Sequence, residues 1–259
     1  MAYSNPIPNI IDDSMPHTEQ EPDYKQIDEV YFAFIDVLGF KKTFDDIKIS
    51  NKPDTANKYR NVFNYYFALM NSSKLMESGK ETGCYAGQTS DSLYFYTSRT
   101  DYLLQFIKIF SHFSLYAMSQ DVFFRGGIAK GSLFKKKDYQ FFGDSVIGAY
   151  LLESNISKNP IIVIDERTHE DMCKQTGYCD FVAQKFNRNY IKPFKLLHEN
   201  VALDIIEGFV TKPIDKEQIE KNITLNKAAF EYDANNYGKY VFLMEEFISS
   251  NKASSADVK

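Results

Sequence analysis

The hydrophobic positions of this chain fall into two rhythms. A continuous apolar run from Val30 to Ile35 predicts a buried strand. Residues 54–78 change to helical spacing, with Tyr59, Val62, Tyr66 and Met70 on one face. From Cys84 to Tyr96 the pattern is that of two short strands meeting in a polar turn at Thr89 to Asp91, a hairpin. Residues 100–118 return to helical spacing, with Leu103, Phe106, Ile107, Phe110 and Phe113 in phase. A strand follows from Val122 to Ala129, and its Gly126 and Gly127 allow close approach by another element or a ligand. After a polar excursion at Lys135-Lys136-Lys137-Asp138, a helix is predicted over 144–154 and a strand at Pro160 to Ile164. Residues 166–212 show no decisive period. Helices are predicted over 214–230, lined by Ile219, Ile223 and Phe230, and over 234–250, lined by Tyr237, Val241, Met244 and Ile248.

The resulting order, β-α-β-β-α-β-α-β, predicts an α+β fold: a mixed or antiparallel sheet with helices packed on one face. Residues 1–27 carry Pro6, Pro8, Pro16 and Pro22 among polar positions and are expected to form a flexible leader. Residues 28–250 then form a single domain, and 251–259 a disordered tail.

Composition narrows the function classes. A net charge of −5 argues against a general nucleic-acid-binding surface, while leaving room for a local basic pocket. The three cysteines, Cys84, Cys173 and Cys179, do not suggest a disulfide framework. No stretch approaches the ~20 apolar residues of a membrane helix, and the first residues lack the form of a secretion signal, so a cytoplasmic location is expected.

The candidate chemistry centres on two carboxylates. Asp36 ends the first strand and opens the turn Val37-Leu38-Gly39-Phe40; Asp91 sits at the hairpin tip in Thr89-Ser90-Asp91-Ser92. Brought side by side, they would repel and raise one another's pKa. Divalent ions would relieve that repulsion and bridge triphosphate oxygens. Backbone N–H groups of the turn could cradle phosphates. Each aspartate also fits a plainer local role, Asp36 as a helix N-cap and Asp91 as a turn residue.

With two further segments, Arg125-Gly126-Gly127-Ile128 and Gly143-Asp144-Ser145-Val146-Ile147-Gly148-Ala149-Tyr150-Leu151-Leu152-Glu153, the chain resembles the class III nucleotide cyclase catalytic domain over residues 28–165. The resemblance implies a ferredoxin-like α+β domain that works as a homodimer with sites at the interface. It implies two Mn²⁺ or Mg²⁺ ions on Asp36, Asp91 and the Val37 carbonyl. These ions would activate a ribose 3′-hydroxyl against the α-phosphate and stabilise the leaving pyrophosphate. Leu38, Gly39, Phe40, Arg125 and Gln140 would contact the nucleotide.

The departures from that family carry their own information. Ile147 and Leu151 stand where the family has an Asn and an Arg, and neither can take over those roles. Gly87 and Gln140 stand at the purine-selecting positions, matching neither the adenine pair nor the guanine pair. In this the chain looks most like the Pycsar pyrimidine cyclases, bacterial antiphage enzymes. That resemblance implies a pyrimidine triphosphate, UTP or CTP, as substrate and a separate effector protein as target of the cyclic product; the choice between the two does not follow from it, and UTP is taken first. The alternatives are a purine cyclase and a catalytically inactive cyclase-like nucleotide sensor; an unrelated α+β interaction module is a third class.

Several residues have competing roles. Arg125 fits either the triphosphate or base, or a pairing with a carboxylate at the edge of the core. Lys135, Lys136 and Lys137 fit a solvated tip, Tyr150 a core position, and Asp144 a helix N-cap. His169, Cys173 and Cys179 hint at zinc, but their spacing matches no strong pattern.

Overall fold

The computed structural model describes residues 24–41, 44–45, 53–72, 84–136, 140–175, 178–185, 187–197 and 214–256. The predicted leader up to residue 23, the end of the first predicted helix, Lys137 and 198–213 lie outside the described residues.

The sheet is built on the ferredoxin-like order expected from the resemblance. Strands β1 (Lys25–Val37), β2 (Cys84–Thr89), β3 (Ser92–Thr97) and β4 (Phe124–Lys135) lie in the order β2-β3-β1-β4, with every neighbour antiparallel. Helix α1 (Pro53–Ser72) connects β1 to β2, and α2 (Leu103–Ser119) connects β3 to β4. A short β5 (Phe141–Phe142) pairs with β4. Beyond β4 the sheet continues through β6 (Ile162–Ile164), which is parallel to it, then β8 (Arg188–Ile191) and β7 (Val182–Lys185). Among the described residues the result is a mixed sheet of eight strands.

Strand β1 starts at Lys25, inside the stretch assigned to the leader, with a register shift between Ile27 and Val30. Its side chains alternate, as the pleat requires. Tyr31, Ala33, Ile35 and Val37 face α1 and α2 in the main core; Val30 and Phe32 face the other way, toward Tyr94, Tyr96, Ala129 and Ala149.

The expectation of helices on one face is therefore corrected. Helix α3 (Asp144–Leu151) lies on the face opposite α1 and α2. The reason is in β4. A Cβ on Gly127 would strike the Ala149 carbonyl and Leu152, and one on Gly131 would strike the Ser145 amide. Without side chains at those positions, α3 settles directly onto the strand. After Leu151 the helix widens into a π-type turn over Leu152–Ile156.

Helix α2 is buried nearly all round, from Leu103 to Ser119, because it lies between the sheet, α1 and the C-terminal helix over Lys216–Ala229. The short helices α4 (Glu166–Met172) and α5 (Tyr178–Phe181) occupy part of the region without a decisive period. Helix α6 (Lys216–Ala229) is capped by Asp215, whose side chain accepts from the Gln218 amide at 2.9 Å. It buries Ile219, Asn222 and Ile223. Helix α7 (Ala234–Ala256) runs on into the predicted tail. Its buried residues are Tyr240, Phe242, Leu243 and Phe247, whereas Ile248 is exposed. The predicted stripe is thus rotated by about one position. This helix carries apolar residues on two adjacent stripes, and periodicity alone does not choose between them. No helix among the described residues is long and apolar enough to cross a membrane.

Candidate active site

The site forms where β1 ends. Asp36 is the penultimate residue of β1, paired with Ser92 on β3 and Arg125 on β4, so it is a strand residue and not a helix N-cap. Asp91 directly precedes Ser92 in a two-residue turn in which Ser90 takes φ +57°. The hairpin register therefore carries Asp91 to Asp36. The Ser92 hydroxyl donates to Asp36 Oδ1 at 3.0 Å, and Arg125 Nη2 stands 3.8 Å from Asp36 Oδ2. Burial first, and then the charge of Asp91, push the Asp36 carboxyl above its ordinary pKa; the Ser92 bond and Arg125 only partly oppose this.

Sequence reasoning missed a third carboxylate as a site residue. Glu153, in the π-type turn, is 3% exposed. Its Oε1 lies 2.7 Å from Arg125 Nη2, an ion pair without the alignment of a hydrogen bond. Burial raises its pKa, Arg125 opposes that, and Asp36 and Asp91 add to it. A signal was present: Ser145, Ala149 and Glu153 recur at helical spacing, and all three are buried. Of the two roles expected for Arg125, the carboxylate pairing is the one seen.

Asp36, Val37, Leu38, Gly39 and Arg125 all line one cavity of about 620 Å³. Gly39 takes φ +75°, which lets the chain turn sharply off the strand. Two expected nucleotide contacts are modified. The Leu38 amide donates to the Phe123 carbonyl at 2.8 Å, which withdraws that donor from the phosphate cradle. The Phe40 ring packs inward, edge-on to Tyr59 with centroids 5.4 Å apart. Gln140 is not among the lining residues; it is exposed, and the Tyr24 hydroxyl donates to its Oε1 at 3.3 Å. Gly87 has a packing reason, since a Cβ there would collide with the Tyr94 ring.

The rest of the cavity wall was not foreseen. Lys58 and Tyr59 come from α1, Asp121 and Phe123 from the turn before β4, and Asn226, Lys239 and Tyr240 from the C-terminal helices. Lys58 Nζ pairs with Asp121 Oδ2 at 2.8 Å.

No cluster of three or more His, Cys, Asp or Glu placed for a metal occurs among the described residues. Asp36 lines the cavity; Asp91 is not among the lining residues, but its charge reaches Asp36. A carboxylate on a cavity wall with a second one acting on it suits Mg²⁺ or Mn²⁺. Such ions take one or two protein carboxylates and complete their shell with carbonyl, water and phosphate oxygens. Zinc finds less support. His169 and Cys173 are neighbours on one turn of α4, with Sγ 3.7 Å from Nε2, and the Cys179 side chain lies outside the described residues.

Other expectations resolve as follows. Gly143, not Asp144, caps α3; Asp144 is its first residue and accepts from the Ser132 hydroxyl at 3.1 Å. Tyr150 is 52% exposed, not a core residue, because it projects from the outer side of α3 with Ile147 and Leu151. Its ring meets Phe34 edge-on, centroids 5.8 Å apart.

Comparison with protein families and with curated proteins gives no match. Among solved structures, the chain is similar to the monomeric guanylyl cyclase domain of the RhoGC fusion protein from the aquatic fungus Blastocladiella emersonii. That likeness has a TM-score of 0.45 and 17% identity over 65% of this chain and 96% of the other. It is also similar to the guanylate cyclase domain of RhGC from Catenaria anguillulae in complex with GTP, at TM-score 0.42 and 18% identity over 64% and 96%. A third is the adenylate/guanylate cyclase/hydrolase from Silicibacter pomeroyi, at TM-score 0.42 and 14% identity over 64% and 95%. The likeness is one of outline at low identity, and side-chain roles come from this chain's own geometry.

Proposed function

We propose that this protein is a metal-dependent nucleotide cyclase, a phosphorus–oxygen lyase. It converts a pyrimidine nucleoside triphosphate to the 3′,5′-cyclic nucleotide and pyrophosphate. Gly87 and Gln140 offer neither purine-selecting pair, which argues against a purine substrate; UTP is taken as the first candidate and CTP as the second. The wider reading follows the Pycsar resemblance: a cytoplasmic homodimer whose cyclic UMP or cyclic CMP acts on a separate effector in antiphage defence. The exposed Ile147, Tyr150 and Leu151 on α3 support a protein contact there.

The observation that carries the reading is the action of Asp91 on Asp36 beside Arg125, with Asp36, Arg125 and the Gly39 turn on the wall of a cavity large enough for a nucleotide. Asp36, Asp91 and the Val37 carbonyl would hold two Mn²⁺ or Mg²⁺ ions. When bound, these ions would lower the pKa of the ribose 3′-hydroxyl and neutralise charge on the α-phosphate and the departing pyrophosphate. Ser92 orients the Asp36 carboxylate through its hydroxyl. Glu153 holds the Arg125 guanidinium against the cavity, where it can face phosphate oxygens. The Gly39 turn sets the approach of the triphosphate to Asp36.

Incubating the purified protein with Mn²⁺ and each of ATP, GTP, CTP and UTP, followed by product mass analysis, tests the reading. Cyclic UMP or cyclic CMP is expected; cyclic AMP or cyclic GMP would remove the pyrimidine assignment. A second reading, a nucleotide sensor without turnover, draws on Ile147 and Leu151 in place of the family's Asn and Arg. Triphosphate binding without any cyclic product would favour it.

A further inference from the structure

The helical hairpin of α6 and α7 is fastened to the core by buried polar bonds rather than by apolar packing alone. Asn222 Nδ2 donates to the carbonyls of Met118 at 2.8 Å and Ser119 at 3.1 Å, at the end of α2. Asn226 Nδ2 donates to Asp121 Oδ1 at 2.6 Å, and the other oxygen of Asp121 takes Lys58. Phe230 at the end of α6 stacks on Tyr240 of α7, centroids 5.7 Å apart, and Tyr240 meets Phe123 edge-on at 5.2 Å. Phe123 is the residue whose carbonyl receives the Leu38 amide. The hairpin is therefore joined, through one intermediate residue, to the turn that follows Asp36.

This arrangement places three cations on the cavity, in different states. Arg125 is matched by Glu153 and Asp36, and Lys58 by Asp121. Lys239 differs. Its Nζ donates to the neutral Asn236 Oδ1 at 2.8 Å, and among the described residues no carboxylate forms an ion pair with it. Asp233, the nearby acid, is occupied by the Asn236 amide and side chain at the start of α7. Lys239 is partly buried and close enough to Arg125 and Lys158 to feel their charge. Burial first, then Arg125, and less strongly Lys158, bring its pKa down, against the partial opposing charge of Asp233. A partly desolvated ammonium facing like charge is stabilised by an anion in the same space.

We propose that α6 and α7 form part of the nucleotide site in the same chain, with Lys239 binding the terminal phosphates of the triphosphate. This rests on the metal–triphosphate reading of the Asp36 cavity and adds a ligand from outside the βαββαβ core. The Gly39 turn and Asp36 would then meet the α-phosphate side, and Lys239 the far end of the chain of phosphates, across the cavity.

The test uses the full chain and Mn²⁺–tripolyphosphate as probe, with affinity measured by calorimetry. Lys239→Gln keeps a donor for Asn236 and removes the charge; it is expected to weaken binding about tenfold, while Lys239→Arg stays within about threefold of the wild type. Lys221→Met, on the outer side of α6, controls for bulk charge and is expected to leave affinity unchanged. An unchanged affinity in Lys239→Gln, an equal loss in Lys221→Met, or no binding by the wild type would each overturn the proposal. Nucleotide turnover with an unchanged KM in Lys239→Gln would overturn it too and leave the cyclase reading intact. Absence of any cyclic product, with tripolyphosphate binding still dependent on Lys239, would remove the cyclase reading and uphold the anion site.

Discussion

Strands β1 and β4 carry two polar clusters a few residues apart, and their carboxylates are in opposite states. Tyr31 lies opposite Lys130, and Asp36 opposite Arg125. At the first pair, Asp171 Oδ2 accepts from Lys130 Nζ and from the Tyr31 hydroxyl, both at 2.7 Å, and Oδ1 accepts from Lys174 Nζ at 2.8 Å. Burial pushes the Asp171 pKa up, but these three bonds overcome it and hold the carboxyl well below the usual range. At the second pair, burial and Asp91 prevail over Ser92 and Arg125, and Asp36 is held above its usual range. One cluster is complete within the protein. The other holds more negative charge than its own partners neutralise, as a site does when its remaining partners arrive as ligands.

The largest expected effect is on activity. Asp36→Ala or Asp91→Ala should lower cyclic nucleotide formation by at least about a thousandfold, since each removes half of the protein's carboxylate donors for the ions. Asp171→Ala should leave the rate per folded molecule nearly unchanged. A similar loss in all three variants would erase the functional distinction between the clusters.

Acid unfolding offers a second way to separate the regions. Between α1 and α2, burial pushes the His112 pKa down to about 4. Its Nε2 and the Tyr65 hydroxyl share a hydrogen bond of 2.7 Å. Because the folded-state value is depressed, the stability is fully present above about 6.5, the unfolded value, and is lost as pH falls toward 4. The loss amounts to about 3 kcal/mol. Asp171 is depressed as well, but its loss begins only below the ordinary carboxylate range. Chemical denaturation from pH 7 to 4 should therefore show a slope that His112→Leu flattens and that Asp171→Asn does not.

A smaller effect is expected at neutral pH. Asp171→Ala should cost about 2 kcal/mol in denaturant unfolding, because it strips an acceptor from the Tyr31 phenol and from the Lys130 ammonium. A neutral outcome would mean that Glu29, 3.2 Å from Lys130, replaces it.

The parts of this account that were legible in sequence share a physical cause. Apolar spacing in α1 and α2 reports a dense core, and Tyr66, Leu103, Phe106 and Phe110 are all fully buried. Asp36 and Asp91 were legible because each interrupts an element boundary. Lys58, Asp121, Asn226 and Lys239 were not, since a polar residue on a helix or turn has the same local pattern whether it meets solvent or a cavity. Their meeting depends on contacts across the whole chain, such as Asn222 to Met118. The face of α7 was misplaced for the related reason that its apolar residues form two stripes, and only docking against α6, Phe123, Tyr190 and Phe194 selects one.

Asp36→Asn gives the smallest shift and the sharpest test of the contrast. A raised pKa means that the contribution of Asp36 is present below the ordinary carboxylate value and is lost as pH rises through the folded value. At pH 7 without ligand, the ionised group is therefore a liability, and Asp36→Asn should stabilise the protein by about 1 kcal/mol. The measurement that tests the central claim most directly is thermal unfolding of wild type and Asp36→Asn, each with and without Mn²⁺ and UTP. The account predicts that Asp36→Asn melts higher in the absence of ligand and that Mn²⁺ with UTP reverses the order, since a ligand bound only by the folded state raises its stability. A wild type that melts higher without ligand, or an order that Mn²⁺ and UTP leave unchanged, would contradict it.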